Sequence, residues 1–198
     1  MDEQLRLLKV IVVQGKRLVI RDFKSSDPYV VVKLGNQVTW IYISILPCVY
    51  FSHQKSYTVE HCKCFIIMNQ TAKTRVIHCS LNPVWNEELS FTLTEPFGLL
   101  NLEVFDKDFL KADDKMGSSY LNLQPLMSAS RLRDILKVSS ASGETTLRKV
   151  TPDSENCLAR ESSISCVNGE VVQNVWLRLR GVESGELQLT IKLISSSN

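Results

Sequence analysis

Trp176-Leu177-Arg178-Leu179-Arg180 alternates apolar with basic residues, and Leu187-Gln188-Leu189-Thr190-Ile191-Lys192-Leu193 repeats the alternation shortly afterwards. A period of two sends successive side chains to opposite faces of a strand, so each segment has one core face and one wet face. The pair reads as a hairpin in an antiparallel sheet, with Arg178, Arg180 and Lys192 in solvent. Working outward, further strands are expected at Leu5 to Val13, Tyr29 to Leu34, Ala72 to Ile77, Glu88 to Leu93, Leu99 to Phe105 and Met116 to Leu123. Short strands at this spacing imply a two-sheet sandwich. Leu126 to Leu136 reads as one short helix opening near Pro125 and carrying Leu126, Leu132 and Leu136. Ser139 to Gly169, rich in Ser, Thr, Glu, Asn and Gly, reads as a long crossing loop with room for one short strand.

Composition bounds the possibilities. A chain of 198 residues with 44% hydrophobic content can bury one substantial core, so a single all-β domain over 1–198 is expected. Lys+Arg number 23 against 21 Asp+Glu, which gives no overall field for nucleic acid; any useful charge is local. The amino terminus has no basic segment leading into an apolar stretch, and the most apolar run, Val38 to Phe51, contains Pro47 and falls short of the ~20 residues a spanning helix needs. A cytoplasmic chain is expected, its six cysteines being free thiols without regular spacing. Gly-x-Ser-x-Gly, phosphate-loop and His-Glu-x-x-His patterns are all absent, so an enzyme is not expected.

The chemistry concentrates in aspartates. Asp22 and Asp27 lie in the first loop, where Pro28 marks a strand edge, and Asp106, Asp108 and Asp114 follow the strand Leu99 to Phe105. In an extended segment Asp106 and Asp108 point the same way, and Asp114 can return across the loop, with adjacent Asp113 an alternative. Either group alone matches the ordinary preference of Asp for turns. Two groups at strand ends favour a cage for Ca2+, a hard cation taking six to eight oxygens in flexible geometry. Mutual repulsion of the carboxylates predicts raised pKa values. Trp85, after the Asn82-Pro83 turn, reads as a core plug, and Val30, Val32 and Leu34 as core.

Ser26-Asp27-Pro28-Tyr29-Val30, Asn82-Pro83-Val84-Trp85-Asn86-Glu87 and Val104-Phe105-Asp106-Lys107-Asp108 through Asp114-Lys115-Met116-Gly117 resemble, in order, three motifs of the C2 domain family. The resemblance implies a C2-type eight-stranded antiparallel β-sandwich with one short helix and a long loop before the last two strands. The stretch Thr145 to Glu186 is more narrowly similar to the small plant C2-domain abscisic-acid-related proteins. What this implies is a calcium-dependent module that docks on acidic phospholipid at the plasma membrane, recruits abscisic-acid receptors and also reaches the nucleus. The alternative is a calcium-independent protein-interaction adaptor. Carried over residue by residue, the calcium ligands are Asp22, Asp27, Asp106, Asp108 and Asp114. Phe109 and Leu110 would dip into the lipid interface, and Lys73 and Arg75, with Lys33 alongside, would meet acidic head groups.

Residues 38–70 interrupt this pattern. Removing them joins Leu34-Gly35-Asn36-Gln37 to Thr71 and restores a short hairpin. A retained intron is one origin, since a Val codon begins GT and a Gln codon can end CAG; a poorly folded splice variant would be the consequence to guard against. The segment holds Cys48, His53, His61, Cys62 and Cys64, but without the paired spacing of a structural zinc site.

Overall fold

The computed structural model describes residues 6–22, 25–45, 60–93, 98–136 and 143–195. Ten strands and one helix follow in the order β1 (Arg6–Lys16), β2 (Pro28–Ile45), β3 (Glu60–Lys73), β4 (Val84–Leu93), β5 (Leu99–Asp106), β6 (Asp114–Asn122), α1 (Gln124–Leu136), β7 (Glu144–Val150), β8 (Ser162–Val167), β9 (Glu170–Arg178) and β10 (Glu186–Ser195). Two antiparallel sheets result, one ordered β4-β1-β10-β9-β8-β7 and the other β3-β2-β5-β6.

The sandwich follows from alternation. Leu8, Val10 and Val12 of β1, Leu187, Leu189, Ile191 and Leu193 of β10, and Val175 and Leu177 of β9 are buried from one sheet. Val30, Val32, Leu34, Leu100, Leu102 and Val104 meet them from the other. The hairpin expected from the two alternating segments is present, with Leu187 opposite Leu177 and Glu186 opposite Arg178. Trp85 is buried as the expected plug.

Among the described residues there are ten strands rather than the expected eight. The Ser-rich crossing segment supplies two strands, β7 and β8, which extend the six-stranded sheet beyond β9. On β8 the buried positions include Ser162, Ile164 and Cys166, so a period-two face exists but is built from small side chains. The helix is also adjusted. Asn122 Oδ1 accepts from Gln124 N–H (2.9 Å), capping a helix that begins two residues before Leu126. Its buried face is Leu126, Met127, Ala129 and Ser130 rather than one through Leu132, which is 40% exposed.

β2 pairs with β5 from Pro28↔Asp106 to Leu34↔Leu100. Beyond a register shift between Leu34 and Gln37, β2 and β3 continue together from Gln37↔Met68 to Ile45↔Glu60. Residues 38–45 and 60–67 therefore prolong the pairing of β2 with β3 past the sandwich. Cys48 and His53 lie outside the described residues.

Four connections gather at one end: 17–27, 74–83, 107–113 and 179–185. Backbone bonds tie the first three together, from Lys107 N–H to Asp27 O (3.0 Å), Ser80 N–H to Ser26 O (2.9 Å) and Leu18 N–H to Leu81 O (3.0 Å), and the Ser184 hydroxyl of the fourth donates to Arg17 O (3.0 Å).

Candidate metal centre

The first loop is stapled from inside. Ser26 is fully buried, and its hydroxyl accepts from Arg21 N–H (3.0 Å) while donating to Val19 O (3.3 Å). That fixes Asp27 at the edge of β2, where its N–H donates to Asp106 Oδ1 (2.5 Å). The first and third loops thus meet through the two aspartates.

Asp106 is fully buried, and its Oδ2 has no hydrogen-bond partner among the described residues. Asp108 Oδ2 is likewise buried without one. A buried carboxylate oxygen lacking a partner is costly, and such an oxygen is what a hard cation requires. Burial pushes the Asp106 carboxyl above the ordinary aspartate value, and the charges of Asp22 and Asp108 push further, against the Asp27 N–H and Ser26, which pull it down. Here the expected repulsion is present.

Asp27 and Asp113 are shifted the other way. Asp27 is held below the ordinary range by Cys79 N–H (2.8 Å to Oδ1), then by His78, whose Nδ1 is 2.7 Å from Oδ2. Its carboxylate therefore faces the 74–83 loop. Asp113 accepts from the Tyr29 hydroxyl (2.7 Å), Lys107 Nζ (3.0 Å) and Asp108 N–H (3.2 Å), and these donors lower it to about 2. Burial and the bond to Asp113 raise the Tyr29 phenol to about 12. With Asp113 spoken for as a clamp on the third loop, Asp114 is the ligand candidate, although its Oδ2 now accepts from Lys111 Nζ (2.6 Å). Asp22 is exposed at the rim and acts on Asp106 through its charge.

The five aspartates are therefore gathered at one end but not converged. Among the described residues, no three carboxylate, imidazole or thiol side chains stand as a finished metal-binding group. Asp106 Oδ2 fits a cation as it stands, whereas Asp108 would have to release the Lys111 ammonium 3.6 Å away, and Asp27 and Asp114 their hydrogen-bond partners, to join it.

Phe109 and Leu110 form the tip of the third loop, 98% and 92% exposed. The basic residues are less simply placed. Strand β3 ends at Lys73, exposed and opposite Val31, so the expected strand Ala72 to Ile77 is cut short. Arg75 is outside it, and its guanidinium donates to Trp85 O (2.9 Å) while its N–H donates to Glu87 (2.9 Å). Lys33 pairs with Glu103, which also takes Lys115 at 2.7 Å. Sequence reasoning missed Ser26, Tyr29, His78, Cys79 and Lys111 as partners of the site; only Lys111 carried a visible signal, a lysine spaced among the loop aspartates.

The C2 domain family profile matches residues 6–44 and 51–138. Protein C2-DOMAIN ABA-RELATED 11 of Arabidopsis thaliana is 58% identical over 194 residues, covering 98% of this chain and 96% of that protein. GTPase activating protein 1 of Oryza sativa subsp. japonica is 36% identical over 188 residues, 95% of this chain and 91% of that protein. Among solved structures, the calcium-bound two-C2-domain portion of Extended-Synaptotagmin 2 superposes with TM-score 0.54 at 19% identity, covering 98% of this chain and 47% of that one. A C2 domain of plant Extended Synaptotagmin 1 gives 0.50 at 18% identity, with both chains fully covered. At those identities the structures speak for the fold alone.

Proposed function

The chain belongs to the C2 domain family and, within it, to the plant C2-domain ABA-related proteins, and from that premise we propose that it is a calcium-dependent module docking on acidic phospholipid membranes. The observation that carries this reading is a pair of buried carboxylate oxygens, Asp106 Oδ2 and Asp108 Oδ2, that accept no hydrogen bond among the described residues, beside the exposed Phe109-Leu110 tip. Bound calcium would supply positive charge and open coordination positions for lipid phosphate oxygens. Asp106 and Asp108 would ligate from the third loop and Asp27 from the first, once its carboxylate turns from His78. Asp22 and Asp114 complete the set from the rim. Phe109 and Leu110 enter the interface, and Lys73 supplies charge to head groups. Arg75 contributes less, its guanidinium being committed to Trp85 O. By kinship with the Arabidopsis relatives, we extend the reading to recruitment of abscisic-acid receptors at the plasma membrane.

Sedimentation with phosphatidylserine vesicles, in calcium or in chelator, tests the switch. Wild type should pellet in calcium alone, and Asp106→Asn/Asp108→Asn should remain in the supernatant in both. Equal pelleting under all four conditions would remove calcium from the account. In chelator the double variant should melt at least as high as wild type, because it no longer buries an ionised Asp106.

A further inference from the structure

The third loop carries its own cation. Lys111 Nζ lies 2.6 Å from Asp114 Oδ2 and 3.6 Å from Asp108 Oδ2, so one ammonium spans carboxylates from the two ends of the loop. The Asp108 side chain is only 9% exposed and its Oδ2 has no hydrogen-bond partner, which leaves that oxygen leaning on the nearby positive charge. Lys107, the other lysine of the loop, is set differently. It contacts Asp113, the carboxylate already clamped by Tyr29.

We propose that Lys111 is an exchangeable counter-ion of the calcium site, whose ammonium must leave Asp108 and Asp114 before both can ligate, and which thereby sets the calcium concentration at which the third loop responds. The inference rests on the calcium reading above. A lysine suits the task because its single charge rides on a flexible four-carbon stem. Lys111 is 57% exposed, so its ion pairs are individually weak and a divalent ion can displace it at a cost in affinity. An arginine fork would hold the carboxylates more firmly.

Calorimetric calcium titration of the full chain, with wild type, Lys111→Gln and Lys107→Gln compared, tests this. Each variant removes one positive charge from the same loop, so a general electrostatic effect would raise affinity similarly in both. Direct competition predicts calcium affinity about three- to tenfold higher in Lys111→Gln, and within about twofold of wild type in Lys107→Gln. Affinity unchanged in Lys111→Gln, or raised equally in both variants, overturns the inference. Binding by Lys111→Gln but not by wild type upholds it while overturning the calcium switch in the native chain. Binding by none of the three overturns both.

Discussion

Asp113 and Asp106 show how differently two carboxylates seven residues apart can be used. Asp113 is held at about 2 by Tyr29, Lys107 and the Asp108 N–H. Its folded value lies below the unfolded one, so its contribution to stability is present in full above about 4 and is lost as pH falls toward 2. Asp106 runs the opposite way. Its raised value means that its contribution is present below the unfolded pKa and is lost as pH rises through the folded one, so at neutral pH it is a standing cost that a cation would offset. Tyr29→Phe removes the hydroxyl from Asp113 and should cost about 1–2 kcal/mol in urea unfolding at neutral pH. The difference from wild type should shrink as Asp113 protonates; a difference constant from pH 7 to pH 2.5 would show that the Tyr29 hydroxyl acts elsewhere.

Strand β6 carries a constraint that its sequence barely announces. Gly117 has φ +117°, and a Cβ there would stand 2.8 Å from Val182 Cγ2 and 3.0 Å from Leu179 Cβ. It sits within the register shift that separates Glu103↔Ser118 from Phe105↔Lys115, where β6 meets the 179–185 connection through Ser118↔Arg180. Gly117→Ala should therefore destabilise by about 2–3 kcal/mol, from backbone strain and overpacking together. Differential scanning calorimetry would show it as a lowered melting temperature, and an unchanged one would mean that the two elements separate more easily than their packing suggests. β7 and β8 illustrate the converse problem. The core side of β8 is marked by Ser162, Ile164 and Cys166, and a buried serine looks like a loop serine until its neighbours are known.

For the whole molecule, the prolonged β2–β3 hairpin raises the question of what the sandwich requires. Pairing with β5 ends at Leu34, so the described residues 38–45 and 60–67 pair only with each other, beyond the sandwich. The Gln70 side chain does reach back, donating to Thr92 O (2.6 Å) and accepting from Thr92 N–H (2.8 Å). Because Asn36-Gln37 repeats as Asn69-Gln70, excising 38–70 leaves the same sequence as excising 36–68, and the surviving glutamine can take that role. The excised chain should unfold cooperatively, melt within about 4 °C of the full chain, the equivalent of ~1 kcal/mol, and keep its stabilisation by calcium. Loss of cooperative unfolding would make the segment an integral part of the domain.

Local pattern was enough to announce the sandwich, the last hairpin, the Trp85 plug and the placing of five aspartates at strand ends, because alternation and turn chemistry act over a few residues. Which carboxylates are free to ligate was decided only by tertiary structure. Asp27 finds His78 and Cys79, 51 and 52 residues away, Tyr29 finds Asp113, and Arg75 turns to Trp85 O. Those pairings depend on which loops the sheet order brings to one end, and a hydrogen bond between distant segments leaves no period in the sequence. Lys111 lies between: its spacing was visible, but that it meets Asp108 and Asp114, while Tyr29 and Lys107 take Asp113, was seen only in the tertiary structure.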